Sequence, residues 1–583
     1  MKRAIALFLS ILMIFTLVAC GKDEEPATTV DQVEETQNNA ETKESENTFP
    51  TPTPQLPLVT VQPKPEEETR YQEPEKKWNY TNPSSYKPST QYDYNGFDDS
   101  ENLDFSQVKV PAVVTPAKKY GFLAADISTY PLSLAQSKKL TTAALKAIPI
   151  ANDEMSSDEL RKIVLDYFEL QLTFTWTPNA TLKNYPTSAV GETHQDYMNK
   201  TIEQGELYIG VPYQSTGAGN LYRWLEYYDE ETGIFYLTEA IAQNGGYLYG
   251  DANTPSVEVG EEVKHPGLRA FFNQCSVASY WGWGRVINSA YFIWTADMNV
   301  RNEFIPVGFF TYPNALTIDR FGETSDYNPT KYDTNHVIRD WNKTHGSDGI
   351  YKCYAQAQPA DCLVSKGHAM MVKSVNVVKK PNGTIDPNAS TITVFEQIEG
   401  WGGRGVIEGV NYHLQGGVNR VYTFANLQST NYLPFTFAEY HKEDADFWNT
   451  LDSTYHAAYD ATYGEAEVTA YLKNLKDLAP VEKISISASK WKPEMTWKEV
   501  SASIVTSNYP ISDIFLVVQD QVGNEVASGV YRSRQANVYS LALSRKEFDS
   551  ARNKFANGLY TVTISAQVST GELVNVGTAT LIG

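Results

Sequence analysis

Residues 21–108 contain too few apolar residues to form a folded core. Residues 21–50 carry nine acidic residues against two lysines, with Phe49 as their single aromatic residue. Buried apolar surface must offset the conformational entropy lost on folding, so this composition predicts a disordered segment. After residue 50, recurring prolines and tyrosines predict an extended, semi-rigid spacer. The folded part of the chain is therefore expected to begin near Lys109.

The residues before this segment have the layout of a secretory signal. Lys2 and Arg3 precede an apolar run that closes in the letters LVAC at Cys20. That ending resembles the lipobox of bacterial lipoproteins, which implies that 1–20 is a lipoprotein signal peptide and that Cys20 carries a lipid anchor. An uncleaved membrane anchor is the alternative, but the run is shorter than the roughly 20 residues that a bilayer core requires. The chain is accordingly expected on the extracytoplasmic face of a bacterial cell membrane.

Length and charge narrow the classes of function. A chain of 583 residues exceeds the length that one core usually organises, so several domains are expected. The formal net charge of −22 argues against a nucleic-acid partner, because binding to phosphates requires clustered Lys and Arg. The sequence leaves the oligomeric state open.

The elements predicted after the spacer fall into three regions. In 109–430, the letters SSDELRKIVLDYFELQLTF predict a helix capped by Ser156 or Ser157, and GHAMMVKSVNVV and STITVFEQI predict two strands joined by a turn. Residues 431–480 are helix-prone and predict a helical connector. Residues 481–583 contain short alternating β-branched runs, which predict an all-β sandwich of the Ig-like type. The expected fold class is α+β.

Three cysteines follow Cys20 in the chain. Cys353 and Cys362 are near neighbours in sequence, and cysteines pair in an oxidising exterior when geometry allows, so one prediction is a disulfide between these two. Cys275 would then be the cysteine left without a partner, and such an unpaired cysteine in an exported protein is a candidate reactive thiol. Three buried free thiols are the alternative, and the sequence leaves both open.

Cys275 lies where a helix is predicted to begin. Asn273 stands near its N-cap, and small residues and aromatics follow the cysteine at helical spacing. A thiol at a helix N-terminus interacts with the positive end of the dipole and with free backbone amides, which lower its pKa. A packed core thiol is the alternative, because free cysteines are among the most buried residues in proteins.

A nucleophilic thiol requires a general base, and one of the eight histidines is placed for that role. His368 is the first residue of a predicted apolar strand, where its ring can face a neighbouring helix end. The base in turn needs an orienting group, and the following strand ends in Glu396 and Gln397. In a hairpin the end of that strand lies beside the start of the first, so one of the two side chains can reach His368.

This order of residues resembles the papain-like cell-wall cysteine peptidases of the NlpC and CHAP types. The letters GHAMMV and ITVFEQ look like the CHAP pattern of Gly-His, an apolar strand and Glu-Gln. YIGVPYQSTGAG, before the cysteine, and QPADCLV, before the histidine, look like two NlpC motifs. The resemblance covers roughly residues 205–430 and implies a papain-like catalytic domain, in which a helix packs on an antiparallel sheet.

The resemblance also implies a role for each motif residue. Cys275 is implied to be the nucleophile, His368 the general base and Glu396 the orienting residue, with Gln397 as the replacement for Glu396. Tyr213 is implied to lie near the thiol and the substrate.

The chain departs from the family pattern at several points. Asn273 and Gln274 replace the acidic residue that is common before the nucleophile, Ala360 replaces the usual glycine, and Ile398 stands where CHAP domains often have Asn. The letters KKPNGTIDPNAS lengthen the hairpin after His368. These departures point to a divergent branch with its own substrate.

The activity implied by the family is hydrolysis of an amide bond through a thioester. Peptidoglycan is the amide polymer nearest to such an anchored enzyme, so a stem-peptide endopeptidase or an N-acetylmuramoyl-L-alanine amidase is expected. Gln274 or Tyr213 would complete an oxyanion site with the backbone amide of Cys275. Trp281 would line a substrate groove, unless it packs in the core. No metal or other cofactor is required, and no cluster of potential ligands has zinc-like spacing.

Two functions of other kinds also fit the sequence. The first is a non-catalytic surface-binding protein with a degenerate peptidase fold, which an unreactive or bridged Cys275 would favour. The second is a transglutaminase-like or deamidating thiol enzyme that acts on surface proteins, which cross-linked products would favour.

Overall fold

A computed structural model describes most of the chain after residue 138. The described residues are 139–186, 199–214, 217–237, 239–240, 270–287, 295–298, 303–311, 334–365, 367–397, 404–407, 410–496, 499–500, 503–540 and 558–582. The predictions for 1–108, including the lipid anchor at Cys20, lie outside these residues, as does Ile398. Helices and mostly antiparallel sheets make up the described part, so the fold is α+β, as predicted.

The described helices are mostly short and lie between strands. In chain order they are α1 (Thr142–Ala147), α2 (Ser157–Thr173), α3 (Leu221–Glu226), α4 (Cys275–Trp283), α5 (Thr295–Met298), α6 (Thr334–His345), α7 (Gly349–Tyr354), α8 (Phe424–Ser429), α9 (Ala445–Tyr463) and α10 (Glu465–Lys476). Two 3₁₀ turns span Val307–Phe309 and Ala438–His441. Among the described residues, no helix is long and apolar enough to cross a membrane.

The described strands form four sheets. In the first part of the chain they are β1 (Thr175–Pro178), β2 (Leu182–Pro186), β3 (Asn199–Ile202), β4 (Leu207–Ile209), β5 (Ile234–Phe235), β6 (Ile305–Pro306), β7 (Cys362–Ser365), β8 (His368–Asn376) and β9 (Thr391–Glu396). They continue as β10 (Arg404–Ile407), β11 (Val410–Leu414), β12 (Gly417–Thr423), β13 (Leu433–Thr436), β14 (Ile486–Ala488), β15 (Glu494–Thr496), β16 (Ile504–Gln519), β17 (Glu525–Ser540), β18 (Leu559–Val568) and β19 (Leu573–Ile582).

Helix α2 begins where the sequence predicts. Ser156 is its N-cap, and the Glu159 side chain accepts a hydrogen bond from the Ser156 backbone N–H at 2.8 Å, which completes a capping box. Its apolar residues repeat at helical spacing and are buried, among them Leu160, Ile163 and Val164. This amphipathic pattern holds α2 against the sheet that carries the candidate site.

That sheet is antiparallel and has six strands in the order β12-β9-β8-β7-β13-β6. The ring of Phe168 on α2 contacts the ring of Phe395 on β9, with centroids 5.9 Å apart. On α4, Gly282 lies so close to the sheet that a Cβ there would be 3.3 Å from Cε of Met371. The small residues after Cys275 therefore let α4 approach β8 closely.

A second, mixed sheet has the order β10-β11-β4-β1-β5. Strand β4 pairs antiparallel with β1 and parallel with β11. Aromatic residues fill its inner side, where the Trp224 ring lies 5.1 Å from that of Trp176 and 4.0 Å from that of Phe235. These residues belong to the same hydrophobic core as α2, α4 and the first sheet.

Residues 431–480 contain more than the predicted helical connector. Strand β13 pairs with β7 and β6 inside the first sheet, which the sequence analysis did not predict. The expected helices are present as α9 and α10, but Trp448, Tyr455 and Val468 bury their side chains in the core of the preceding region. Burial of these side chains makes the segment part of that core as well.

The C-terminal strands form a six-stranded sheet in which β16 lies between β14 and β18 and also pairs with β17. Its buried residues, including Ile514, Leu516 and Ile564, form a hydrophobic cluster separate from the first core. The described residues nevertheless belong to one compact unit. Polar contacts join the two cores: Nδ2 of Asn220 donates to Oγ of Ser512 at 2.9 Å, and the Arg285 guanidinium donates to the carbonyl oxygen of Ser569 at 3.2 Å.

Candidate active site

Cys275 is the first residue of α4 and has 4% of its surface exposed. The N-cap residue is Gln274, with an extended backbone and no capping hydrogen bond from its side chain. Asn273 directly precedes this N-cap, so it lies near the N-cap as predicted, and its backbone is held in extended pairing. Its N–H donates to the carbonyl oxygen of Pro212 at 3.0 Å, and its carbonyl oxygen accepts from the N–H of Gln214 at 2.8 Å.

Glycines in the YIGVPYQSTGAG motif hold the segment before Cys275 in place through backbone contacts. Gly219 N–H donates to the carbonyl oxygen of Phe272 at 3.0 Å. A Cβ at Gly217 would lie 2.1 Å from that same oxygen, and one at Gly219 would lie 2.0 Å from the carbonyl oxygen of Phe271. Only glycine permits this approach of two backbones. The motif therefore sets the position at which α4 and its thiol begin.

Tyr213 lies in this motif and is half-buried. Its backbone forms a parallel bridge to Asn273, two residues before Cys275. The predicted active-site tyrosine is thus anchored beside the strand segment that leads to the thiol.

His368 is the first residue of β8, as predicted, and it pairs with Ser365 on β7. Its Nε2 lies 2.9 Å from Oε1 of Glu396, the last residue of β9. The imidazole also interacts electrostatically with the Cys275 thiol, and each group shifts the pKa of the other. The structure therefore brings Cys275, His368 and Glu396 together at one site.

The thiol and the imidazole shift each other's pKa in opposite directions. Burial raises the pKa of Cys275, but the charge and hydrogen bond of His368, with the backbone N–H groups of Ala369 and Ser276, lower it below its ordinary value. Burial lowers the pKa of His368, but Cys275 and Glu396 raise it to about 9. Both shifts favour a thiolate beside an imidazolium, which is the reactive form of a cysteine.

Glu396 is fully buried and has two further partners that the sequence analysis did not identify. The hydroxyl of Tyr422 donates to its two carboxylate oxygens at 3.1 and 3.0 Å, and Nη1 of Arg420 lies 3.0 Å from Oε2. Burial raises the pKa of Glu396, whereas Arg420, His368 and Tyr422 lower it below its ordinary value. The available signal was a charged residue inside the apolar strand sequence VNRVYTF.

Gln397 and Gln274 occupy different parts of this region. The Gln397 side chain donates from Nε2 to the carbonyl oxygen of Val211 at 2.8 Å, so it anchors the segment before the glycine motif. Gln274 is 5% exposed, and within the described part of the chain its Nε2 has no hydrogen-bond partner. A buried amide donor beside the helix N-terminus is suited to an oxygen of a bound substrate.

Trp281 does not line a groove in the structure. It is 1% exposed and packs in the main core, where its ring contacts that of Tyr280 with centroids 5.8 Å apart. The packing alternative that the sequence left open is therefore the one observed for this residue.

The QPADCLV segment includes the start of β7 and contacts α2. Ala360 has a φ of 68°, the left-handed region that glycine favours, at the position where the family pattern has glycine. Oδ1 of Asp361 accepts a hydrogen bond from Nη1 of Arg161 on α2 at 2.7 Å, with both side chains buried. Burial raises the pKa of Asp361 despite this arginine. The Asp361–Arg161 pair therefore connects α2 to the start of β7.

The disulfide between Cys353 and Cys362 is not formed. All three described cysteines are free and buried. Cys353 lies on α7, where its Sγ donates to the carbonyl oxygen of Gly349 at 3.7 Å, whereas Cys362 begins β7. Burial raises the pKa of Cys353 to about 12 and that of Cys362 well above its ordinary value, so neither is activated as Cys275 is. Within the described ranges, no three His, Cys, Asp or Glu side chains are grouped so as to hold a metal ion.

No protein-family model matches the chain, and no curated protein is found to match it.

Proposed function

We propose that this chain is a cysteine hydrolase of amide bonds, with a papain-like catalytic domain of the NlpC and CHAP kind. Cys275 is its nucleophile, His368 its general base and Glu396 the residue that orients His368. The observation that carries the proposal is the series of Cys275 at the N-terminus of α4, the His368 imidazole that interacts with its thiol, and the Glu396 carboxylate 2.9 Å from the imidazole Nε2. Such a series supplies a nucleophile, a proton carrier and an orienting group together.

In the proposed reaction the thiolate of Cys275 attacks the carbonyl carbon of the amide. The tetrahedral intermediate collapses as His368 gives its proton to the leaving amine, which leaves an acyl group on the sulfur. A water molecule, deprotonated by His368, then attacks the thioester and releases the acid and the thiolate. Glu396 stays ionised throughout and keeps the imidazole ring in one orientation.

The oxyanion of the intermediate requires donors that are in place before reaction. The backbone N–H at the start of α4 is one such donor. The Nε2 group of Gln274 is the second in this proposal, because it is buried next to the thiol and has no other partner in the described structure. Tyr213 contributes through its backbone bridge to Asn273.

The proposed substrate is peptidoglycan, cleaved either within the stem peptide or at the N-acetylmuramoyl-L-alanine bond. The lipobox-like ending at Cys20 supports this assignment, since a lipid-anchored enzyme outside the membrane lies next to that polymer. We propose in addition that 481–583 is an Ig-like β-sandwich. Its own hydrophobic cluster and its β-strand content support a separate β domain, although the described strands there form one sheet.

The decisive experiment is digestion of purified sacculi by the wild-type chain, with Cys275→Ala and His368→Ala as controls. Soluble fragments that both variants fail to release support a Cys–His hydrolase, and mass spectrometry of the fragments then distinguishes endopeptidase from amidase. Cross-linked surface protein instead of released fragments would favour the transglutaminase-like alternative. Binding to sacculi without release, together with an unreactive Cys275, would favour the non-catalytic alternative.

A further inference from the structure

We infer that Arg420 is a positioning residue of the proposed hydrolase, which keeps Glu396 ionised and through it maintains the thiolate and imidazolium of Cys275 and His368. This inference rests on the proposed function and adds to it a fourth charged group. Arg420 forms an ion pair with the Glu396 carboxylate, and its action in this inference runs through that carboxylate.

The geometry of β12 directs Arg420 at the carboxylate. Gly417 pairs with Glu396, but the register of β12 on β9 shifts between Gly417 and Arg420, and Arg420 then pairs with Val394. Such a bulge redirects a side chain, and bulges are common next to active sites. Nη1 of Arg420 comes within 3.0 Å of Oε2 of Glu396, with side-chain exposures of 2% and 0%. Its guanidinium also lies 5.5 Å from the centroid of the Tyr422 ring.

In the thiolate–imidazolium form of the pair, four buried groups carry charges that alternate in sign. In order they are the thiolate, the imidazolium, the Glu396 carboxylate and the Arg420 guanidinium. Two tyrosines also face this group, Tyr422 from β12 and Tyr432 from the loop after α8, and burial keeps both neutral by raising their pKa. A buried charge is tolerated only when it is paired, so removal of one member must shift protons among the others.

Removal of Arg420 leaves Glu396 buried with an unbalanced negative charge. Burial is the largest influence on the pKa of Glu396 and raises it, and Arg420 is the largest influence that opposes burial. Without the guanidinium we therefore expect the carboxyl group to take up a proton. A neutral Glu396 no longer stabilises the imidazolium of His368, and the thiol of Cys275 loses the positive charge that favours its ionisation.

A substitution at Tyr422 separates the effect of the Arg420 charge from the effect of a neutral hydrogen bond to Glu396. Tyr422 donates to the same carboxylate, at 3.0 Å from Oε2, but carries no charge. Replacement of Tyr422 by Phe removes this donor and leaves the sum of charges unchanged. The inference therefore predicts a smaller effect for Tyr422→Phe than for Arg420→Met.

The experiment measures the pH profile of iodoacetamide alkylation at Cys275, by mass spectrometry of the full-length chain. The variants are Arg420→Met, Arg420→Lys and Tyr422→Phe. We expect Arg420→Met to raise the midpoint of the profile by about one pH unit or more, which is roughly a tenfold loss of alkylation rate on the acidic limb. Arg420→Lys, which keeps the charge, should recover most of that loss. Cys353 and Cys362 serve as internal references, because they are alkylated only if the protein opens.

The outcomes separate this inference from the proposed function. A wild-type midpoint well below about 8.5, the ordinary thiol value, with an unchanged midpoint in Arg420→Met, overturns the inference and leaves the Cys–His pair standing. A wild-type midpoint near the ordinary value overturns the proposed function itself. If Arg420→Met exposes the reference thiols, Arg420→Gln takes its place, and an unchanged midpoint in that folded variant overturns the inference equally.

Discussion

Arg223 and Asp513 form an ion pair that is fully excluded from solvent, although 290 residues separate them in the chain. Nε of Arg223 lies 3.2 Å from Oδ1 of Asp513, and the guanidinium also donates to the carbonyl oxygens of Ala218 and Ser512, at 2.8 and 2.7 Å. Ala218 lies between the two glycines that contact the backbone before Cys275. The pair therefore connects β16 of the C-terminal sheet to the segment that positions the thiol.

Asp513→Ala is expected to lower the stability of the whole protein. The substitution leaves the Arg223 guanidinium buried without its counter-charge, which costs about 3–5 kcal/mol when one partner of a buried ion pair is removed. Chemical denaturation followed by tryptophan fluorescence measures the change as a lower unfolding midpoint.

Two variants serve as controls for Asp513→Ala. Lys492→Ala breaks the solvent-exposed pair with Glu499 in the same region and should leave the midpoint nearly unchanged. The double variant Arg223→Met with Asp513→Leu removes both buried charges and should be more stable than Asp513→Ala alone. A midpoint for Asp513→Ala equal to that of Lys492→Ala would contradict the structural role of the pair.

Hydrolysis and alkylation should depend on pH in different ways. The pKa of Cys275 is lowered and that of His368 is raised to about 9, so the two shifts together widen the pH range in which thiolate and imidazolium coexist. Alkylation needs only the thiolate and should fall on acidification but persist above pH 9. Hydrolysis also needs the proton of His368 and should decline on both sides, as a bell-shaped profile.

Parallel profiles of alkylation and of fragment release from sacculi test this difference. His368→Ala should move the alkylation midpoint toward the ordinary thiol value of about 8.5. A wild-type hydrolysis rate that keeps rising well above pH 9 would show that His368 does not supply the proton to the leaving amine.

Glu396→Gln should reduce kcat/KM far more than a change at Gln397. Glu396 accepts from His368, whereas the Gln397 side chain donates to the backbone carbonyl oxygen of Val211. Loss of the orienting carboxylate of a catalytic histidine costs roughly 10²–10⁴-fold in rate. Gln397→Met should leave the alkylation profile of Cys275 in place. The opposite ranking of the two variants would assign the orienting role to Gln397.

Gly219→Ala should disorganise the entry to α4, whereas Gly367→Ala should be tolerated. A Cβ at Gly219 would lie 2.0 Å from the carbonyl oxygen of Phe271, and overpacking of this kind costs about 1–3 kcal/mol or more. Around Gly367, next to His368, no atom lies within 4 Å of an added Cβ. Unfolding midpoints and Cys275 alkylation of the two variants provide the comparison, and equal behaviour would argue against close packing at Gly219.

Local sequence patterns were enough to predict several elements of the site. The capping box at Ser156, the helix that begins at Cys275 and the hairpin that carries His368 and Glu396 are present in the structure. Each depends on contacts between residues close in the chain or on alternation along a single strand. Periodicity and capping residues report such contacts directly.

Contacts between distant segments could not be predicted in this way. Strand β13 is short and lies in a helix-prone stretch, so only its pairing with β7 and β6 identifies it. The roles of Arg420 and Asp513 depend on a bulge and on a packed interface that no local pattern encodes.

The sequence by itself determined the α+β class, the start of α4 at the cysteine and the placing of His368 and Glu396 at strand ends. The tertiary structure decided that Glu396 contacts the imidazole while Gln397 anchors Val211, that Trp281 is core, and that Cys353 and Cys362 stay free. For Glu396 and Gln397, the physical reason is that adjacent residues along a strand point to opposite sides of the sheet. Which side meets the histidine is fixed only when β8, β9 and β12 pair.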